Sequence, residues 1–135
     1  MRAVSQIATR RKTIEVGRAE AYNVGMAESL GTFEQAVLLS VHRLSERAYG
    51  RPVIKDLELR LGRRVSAGAA YATLNRLEER GLLISRLESG APERGGRARR
   101  FYRLASSGID ALDESRVLTA ALWRGVKWRP KRRFA

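Results

Sequence analysis

Ser66-Ala67-Gly68-Ala69-Ala70-Tyr71-Ala72-Thr73-Leu74-Asn75-Arg76-Leu77-Glu78-Glu79-Arg80-Gly81 is the stretch on which the reading of this chain turns. Ser66 is a favourable N-cap, so a helix is predicted over Ala67–Arg80. Ala70, Thr73, Leu74 and Leu77 recur at helical spacing and define its inward face. Gly81 then suits the left-handed position that ends such a helix. Leu82 to Leu87 reads as a strand, and Glu88 to Arg97 is a turn-rich hairpin loop. Arg99 to Leu104 alternates two faces and suggests a returning strand.

Two more helices are predicted upstream. Thr32 and Gln35 have the spacing of a capping box, and Phe33, Ala36, Val37, Val41 and Leu44 follow at helical spacing. Leu38 and Leu39 widen that apolar face, which implies a largely buried first helix. Ala48 to Pro52 is a turn, with Pro52 suited to the first position of a second helix. Ile54, Leu57 and Leu61 form its inner stripe, and Gly62 ends it. Downstream, a last helix is expected from Ser106 or Ser107 to about Val126. Three helices, a hairpin and a further helix make a winged helix-turn-helix: mainly α, with a small two-stranded β wing and a C-terminal dimerisation helix. The expected organisation is a basic extension over 1–30, partly helical near Thr13 to Tyr22 or else flexible, then a DNA-binding domain over 31–104. A dimerisation helix over 105–128 and a basic tail over 129–135 complete it.

The chain has 135 residues, enough for one modest core. It carries 27 Lys and Arg against 14 Asp and Glu, a net charge of +13. That charge is unevenly placed: +6 falls on residues 63–104 and +4 on 129–135, whereas 105–128 is neutral. A concentrated basic block is the footprint of a polyanion-binding surface. A merely solvated basic face, in a chain that prefers Arg over Lys by 23 to 4, accounts for the total equally well. There is no cysteine and only one histidine, His42. Disulfides, thiol catalysis and Cys-ligated zinc are thereby excluded, and His42 in mid-helix suits packing better than ligation. Asp110, Asp113 and Glu114 share a helix with Arg116 and read as a solvated face. No nucleophile has a positioned base and no nucleotide-binding glycine motif occurs. We therefore expect no enzyme, no cofactor, no catalytic residue and no metal site. Apolar stretches are too short to span a membrane, and the first residues lack a signal-peptide core. A cytoplasmic, nucleoid-associated protein is expected.

In a helix-turn-helix the second helix of the pair lies in the DNA major groove and offers its N-terminal side chains to base edges. Here that helix offers Ser66, Ala67, Gly68 and Tyr71, with Asn75 and Arg76 able to face outward. Asn suits adenine and Arg suits guanine. Alternatively, Tyr71 is a core aromatic and Arg76 only pairs with Glu79. The hairpin adds Arg94, Arg97 and Arg99, an arm for the minor groove or the phosphates. Leu118, Leu122, Trp123 and Val126, with Trp128, form more apolar surface than one small domain needs, which predicts a homodimer. Two-fold symmetry then predicts double-stranded DNA with a pseudo-palindromic operator, its half-sites about 34 Å apart or a multiple of that. A non-specific nucleic-acid binder using the tail, or a winged-helix protein-interaction adaptor, are the other readings of the same residues.

Four stretches carry a family resemblance: Leu30 to Leu39, Ala48-Tyr49-Gly50, Val65 to Leu82, and Gly95 to Leu104. Together, over roughly residues 26 to 122, the chain resembles a PadR-like transcriptional regulator. The run Tyr71-x-x-Leu74-x-Arg76-Leu77-Glu78-x-x-Gly81, followed by Tyr102-x-Leu104, is its most specific part. The resemblance implies a homodimeric repressor whose C-terminal helix pairs with a second subunit, with a small-molecule effector near that interface. It also implies that Ser66, Gly68, Tyr71 and the wing arginines face DNA. The chain departs from the pattern at Ala105, where the family has a capping Thr, and in its first 25 residues and basic tail.

Overall fold

The computed structural model describes residues 29–90 and 95–131. The expected helix near Thr13 to Tyr22, Arg94 and the end of the tail lie outside the described residues. The chain divides into two units, Met1–Leu30 and Gly31–Ala135.

The elements of the second unit are α1 (Thr32–Leu44), a 3-10 turn (Ser45–Arg47), α2 (Gly50–Leu61), α3 (Ala67–Glu79), β1 (Leu83–Glu88), β2 (Arg99–Leu104) and α4 (Ser106–Trp123). The strands pair antiparallel, from Leu83 opposite Leu104 to Glu88 opposite Arg99. A two-stranded ribbon is marginal in water on its own. This one is tied down at its root, where Tyr102 N donates to Ala48 O (2.8 Å) and Tyr49 bridges to Phe101. The Tyr49 and Phe101 rings, 5.1 Å apart, pack over that junction. Leu38, Leu57, Leu74, Leu77 and Leu83 are fully buried where α1, α2, α3 and β1 meet. Each such leucine contributes about 1.5–3 kcal/mol, so these five positions dominate the core. The fold is the expected winged helix.

Element boundaries hold or shift for identifiable reasons. Ser66 caps α3 as its sequence predicts, its hydroxyl accepting from Ala69 N (3.1 Å). The far end is a Schellman closure: Leu82 N donates to Leu77 O and Gly81 N to Glu78 O, both 2.9 Å, with Gly81 at φ +79°. α3 stops one residue short of the expected Arg80, which is the C-cap. The capping box of α1 lies one residue earlier than Thr32 and Gln35. Gly31 is the N-cap, and Glu34 Oε1 accepts from Gly31 N (2.9 Å). α2 begins at Gly50 rather than Pro52, which stands third in the helix. The first three helical amides have no intrahelical acceptor, so a proline there removes nothing. Val53 joins Leu57 in the core, while Ile54 and Leu61 are half-buried. Leu39 is exposed, so α1 is less enclosed than expected. His42 is exposed too, which corrects its expected packing role. β1 starts at Leu83, one residue late.

α4 begins at Ser106 with no side-chain cap from Ala105. Instead Ser107 Oγ donates to Gly81 O (2.5 Å) and Ala105 N to Leu82 O (3.0 Å). Gly108 sits so close to the Leu82 carbonyl that a β-carbon would collide with it. The start of α4 is therefore bound to the connector that ends α3. α4 stops at Trp123, three residues before the expected Val126.

Candidate nucleic-acid interface

α3 is held from both flanks, and this decides which of its side chains are presented. Its buried residues are Ala70, Thr73, Leu74 and Leu77. The 3.6-residue repeat puts Gly68, Ala72, Asn75 and Glu79 on the opposite face, and all four are exposed. Ala67 and Ala69 in the first turn are exposed as well. The first half of this outward stripe, Gly68 and Ala72, carries no bulky side chain, so a groove wall could approach the helix backbone closely there.

Tyr71 flanks the stripe on the side of α2. Its phenol lies directly over Gly50, the first residue of α2, where any β-carbon would overlap the ring. The ring is nevertheless 45% exposed. Tyr71 is therefore neither a core aromatic nor a free arm: its body is seated and its edge is presented.

Arg76 flanks the other side. Its Nη2 donates to Thr73 Oγ1 (3.2 Å) and its Nε lies 4.0 Å from Glu34 Oε2. The expected partner Glu79 is not the one it takes. Glu34 also receives Arg80 Nη1 (3.3 Å) while capping α1. One carboxylate thus joins the start of α1 to two arginines of α3. Arg76 is turned towards α1, and its side chain is still exposed. Asn75 is on the outward stripe, as expected.

The N-terminal end of α3 has neighbours that sequence reasoning passed over. Arg63 and Arg64 precede Val65 and Ser66, and with Phe33 and Ala69 they line a shallow cleft of about 350 Å³. The Arg63 guanidinium sits over the Phe33 ring, 5.9 Å from its centroid, and donates to Arg64 O (3.3 Å). Val65 N donates to Glu58 Oε2 (3.0 Å), which fixes the turn into α3. The signal was available: two arginines just upstream of a helix cap put positive charge where the free amides and the dipole already favour an anion.

The wing presents the remaining cations. The Arg99 guanidinium stacks on Tyr49, 4.3 Å from its centroid, and Arg86 stacks on Phe101 at 4.8 Å. Arg86 also pairs with Glu88. Arg100 Nη1 donates to Ser85 Oγ (3.0 Å), which in turn donates to Glu78 Oε2 of α3 (2.5 Å). That relay ties the wing to α3. Gly95 and Gly96 both adopt positive φ, and Arg97 beyond them is exposed. Ser66, Ala67, Gly68, Tyr71 and Asn75 are thus exposed together on α3, and Arg97 and Arg99 belong to the wing beside it. Arg76 is exposed as well, beside Glu34 of α1.

Elsewhere, the Arg43 guanidinium grips Asp56 (2.5 Å) between α1 and α2. That hydrogen bond holds the Asp56 carboxyl below the ordinary carboxylate range, against the opposing effect of its burial. Burial pushes the Tyr102 hydroxyl up. Among the described residues there is no group of His, Cys, Asp and Glu that could hold a metal ion, and no helix long and apolar enough to cross a membrane.

On α4, Leu118, Leu122 and Trp123 are exposed, as are Val126 and Trp128 beyond its end, all by half or more. The predicted stripe therefore exists and is exposed among the described residues.

Residues 38–114 match the model of the transcriptional regulator PadR-like family. The transcriptional regulator Rv3488 of Mycobacterium tuberculosis is 41% identical over 85 residues, which cover 63% of this chain and 75% of that protein. A PadR family transcriptional regulator from Eggerthella lenta has a similar solved structure, with a TM-score of 0.54 and 26% identity over 93% of each chain. A solved complex of RosR, a protein of H. salinarum, gives a TM-score of 0.57 at 25% identity, over 72% of this chain and 79% of that one.

Proposed function

The chain belongs to the PadR-like family of transcriptional regulators, and from that premise we propose that it is a homodimeric repressor that reads a pseudo-palindromic operator through α3 and the wing. The observation that carries this is the exposed stripe of α3. Its first half is free of bulk, Ser66, Arg63 and Arg64 stand at its leading end, and the wing arginines lie beside it. In this reading α3 enters the major groove. Asn75 and the alanine methyls meet base edges, and Tyr71 donates to a phosphate at the groove's rim. Arg63 and Arg64 hold a phosphate at the α3 N-terminus, and Arg97 and Arg99 carry the wing along the neighbouring backbone.

The dimer rests on the uncovered apolar face of α4 and on Val126 and Trp128 beyond it. A small-molecule effector that releases DNA belongs to the same reading and would bind beside the paired helices. The only two tryptophans of the chain, Trp123 and Trp128, stand there and would report its arrival by fluorescence. In the cell the protein would be cytoplasmic and associated with the nucleoid.

Binding to the DNA upstream of its own coding region, followed across a salt series, tests this directly. A repressor binds its operator at least ~10³-fold tighter than bulk DNA. Salt-dependent binding without preference would make it a non-specific binder. Unchanged affinity after Tyr71→Ala and Arg97→Ala would make it an adaptor that does not use this face.

A further inference from the structure

The two strands of the wing are anchored unevenly, and one serine makes up the difference. On the β2 side there are several ties. Tyr102 N donates to Ala48 O (2.8 Å), Tyr49 bridges to Phe101, and the Arg99 guanidinium lies 4.3 Å from the Tyr49 ring centroid. They reach from the middle of β2 to its first residue. On the β1 side Leu83 is buried in the core, whereas Arg86, Leu87 and Glu88 are all exposed. Ser85 stands between them, directly opposite Tyr102 in the register.

Ser85 uses its hydroxyl twice. Its hydrogen is donated to Glu78 Oε2 (2.5 Å) in the last turn of α3, and its oxygen accepts from Arg100 Nη1 (3.0 Å) on β2. A hydroxyl can donate and accept at once. The chain of bonds therefore runs from a cation of the wing, through one oxygen, to an anion of α3. The charges at its two ends strengthen both bonds. The bond to Glu78 is part-buried, so water competes less for it.

Beyond Ser85 the strand continues for three residues, about 10 Å. Their partners in the register are Phe101, Arg100 and Arg99. A ribbon held along one edge swings about it like a door, and a ribbon held along both does not. Ser85 supplies the hold on the second edge.

Resting on the reading that α3 and the wing grip the same duplex, we propose that Ser85 is a positioning residue for operator recognition: through Glu78 and Arg100 it locks the wing to α3, so that the two meet DNA at one fixed separation. Without the hydroxyl the wing keeps all its arginines and pivots on its Ala48–Tyr49 edge. Phosphates lie all along a duplex, so a pivoting wing still finds them. What it loses is register with α3, and register counts only where α3 itself sits on a selected sequence.

Ser85→Ala in the full-length chain tests this, with the operator and an unrelated duplex of equal length as probes. We expect operator affinity to fall about tenfold. Affinity for the unrelated duplex should stay within about twofold, and the slope of log affinity against log salt should not change, because no cation is removed. Hydroxyl-radical footprinting should show the protection due to the wing fading while that due to α3 remains. Ser85→Thr keeps the hydroxyl on a residue that suits a strand, so it should bind the operator within about threefold of the parent. Glu78→Ala should reproduce the loss, and the double variant S85A/E78A should be no worse than either single change. Unchanged operator affinity in S85A, or equal losses on both duplexes, would overturn the inference and leave the reading of α3 and the wing standing. A parent chain with no preference for the operator would overturn that reading and the inference with it.

Discussion

Tyr71 and Gly50 act as a pair, and neither explains itself alone. The phenol lies where a β-carbon of residue 50 would be, so Gly50→Ala must displace the ring. Overpacking of this kind costs about 1–3 kcal/mol. Thermal denaturation of the variant should show that loss, and operator affinity should fall with it because the ring edge no longer faces the groove. Tyr71→Phe keeps the packing and removes only the hydroxyl, so its stability should match the parent while its affinity drops. Asp56 supplies a second prediction at this scale. Its pKa is lowered in the folded state, chiefly by the hydrogen bond from Arg43. Its contribution is therefore complete above the ordinary aspartate pKa and is lost as the pH falls through the lower folded value. Asp56→Asn should cost about 1 kcal/mol near neutral pH. The difference from the parent should begin to shrink as the pH falls below about 4 and vanish only below the lowered folded value, as read by denaturant melts at several pH values.

At the scale of elements, α3 is the one most firmly specified by local chemistry. Ser66→Ala should cost about 1 kcal/mol of stability through the lost cap, and it removes a hydroxyl from the proposed phosphate site as well. A helix bracketed by a capping serine and a closing glycine is legible in one sequence, because both signals are made within a few residues. The start of α1 was less legible. Its N-cap, Gly31, has no side chain to announce it, and the acceptor is Glu34 rather than Gln35. The beginning of α2 was obscured because proline is tolerated anywhere in the first turn. Arg76 shows a different limit. Its sequence neighbours offered Glu79, but the fold offers Glu34 from another helix, and no local rule could rank the two. Arg63 and Arg64 were visible only as charge until the cleft beside Phe33 placed them. The wing has its own test. Arg97→Ala should weaken binding to all sequences alike and reduce the slope of log affinity against log salt by about 1, measured by titration at several salt concentrations.

At the scale of the whole molecule, the apolar stripe of α4 was legible as a pattern, but whether it is covered was not. Periodicity reports which residues share a face and says nothing of what lies against it. The described domain leaves Leu118, Leu122 and Trp123 exposed, which is the ground for the proposed dimer. Leu122→Asp should therefore yield a monomer by sedimentation with an intact fold by circular dichroism. Its operator affinity should fall towards that of a single half-site.

The short connector between α3 and β1 bears on all of this. Gly81 and Leu82 follow the end of α3, and their carbonyls also receive Ser107 and the backbone of Ala105, with Gly108 pressed against them. No slack length of chain separates the two helices at that joint. In the proposed dimer each subunit would behave like one arm of a pair of callipers, with α4 at the pivot and α3 at the tip. A few degrees of rotation between paired α4 helices would become a change in the span between the two tips. In that reading the span would have to match the pitch of the duplex, so the angle of that pairing would set which half-site spacing the protein can measure.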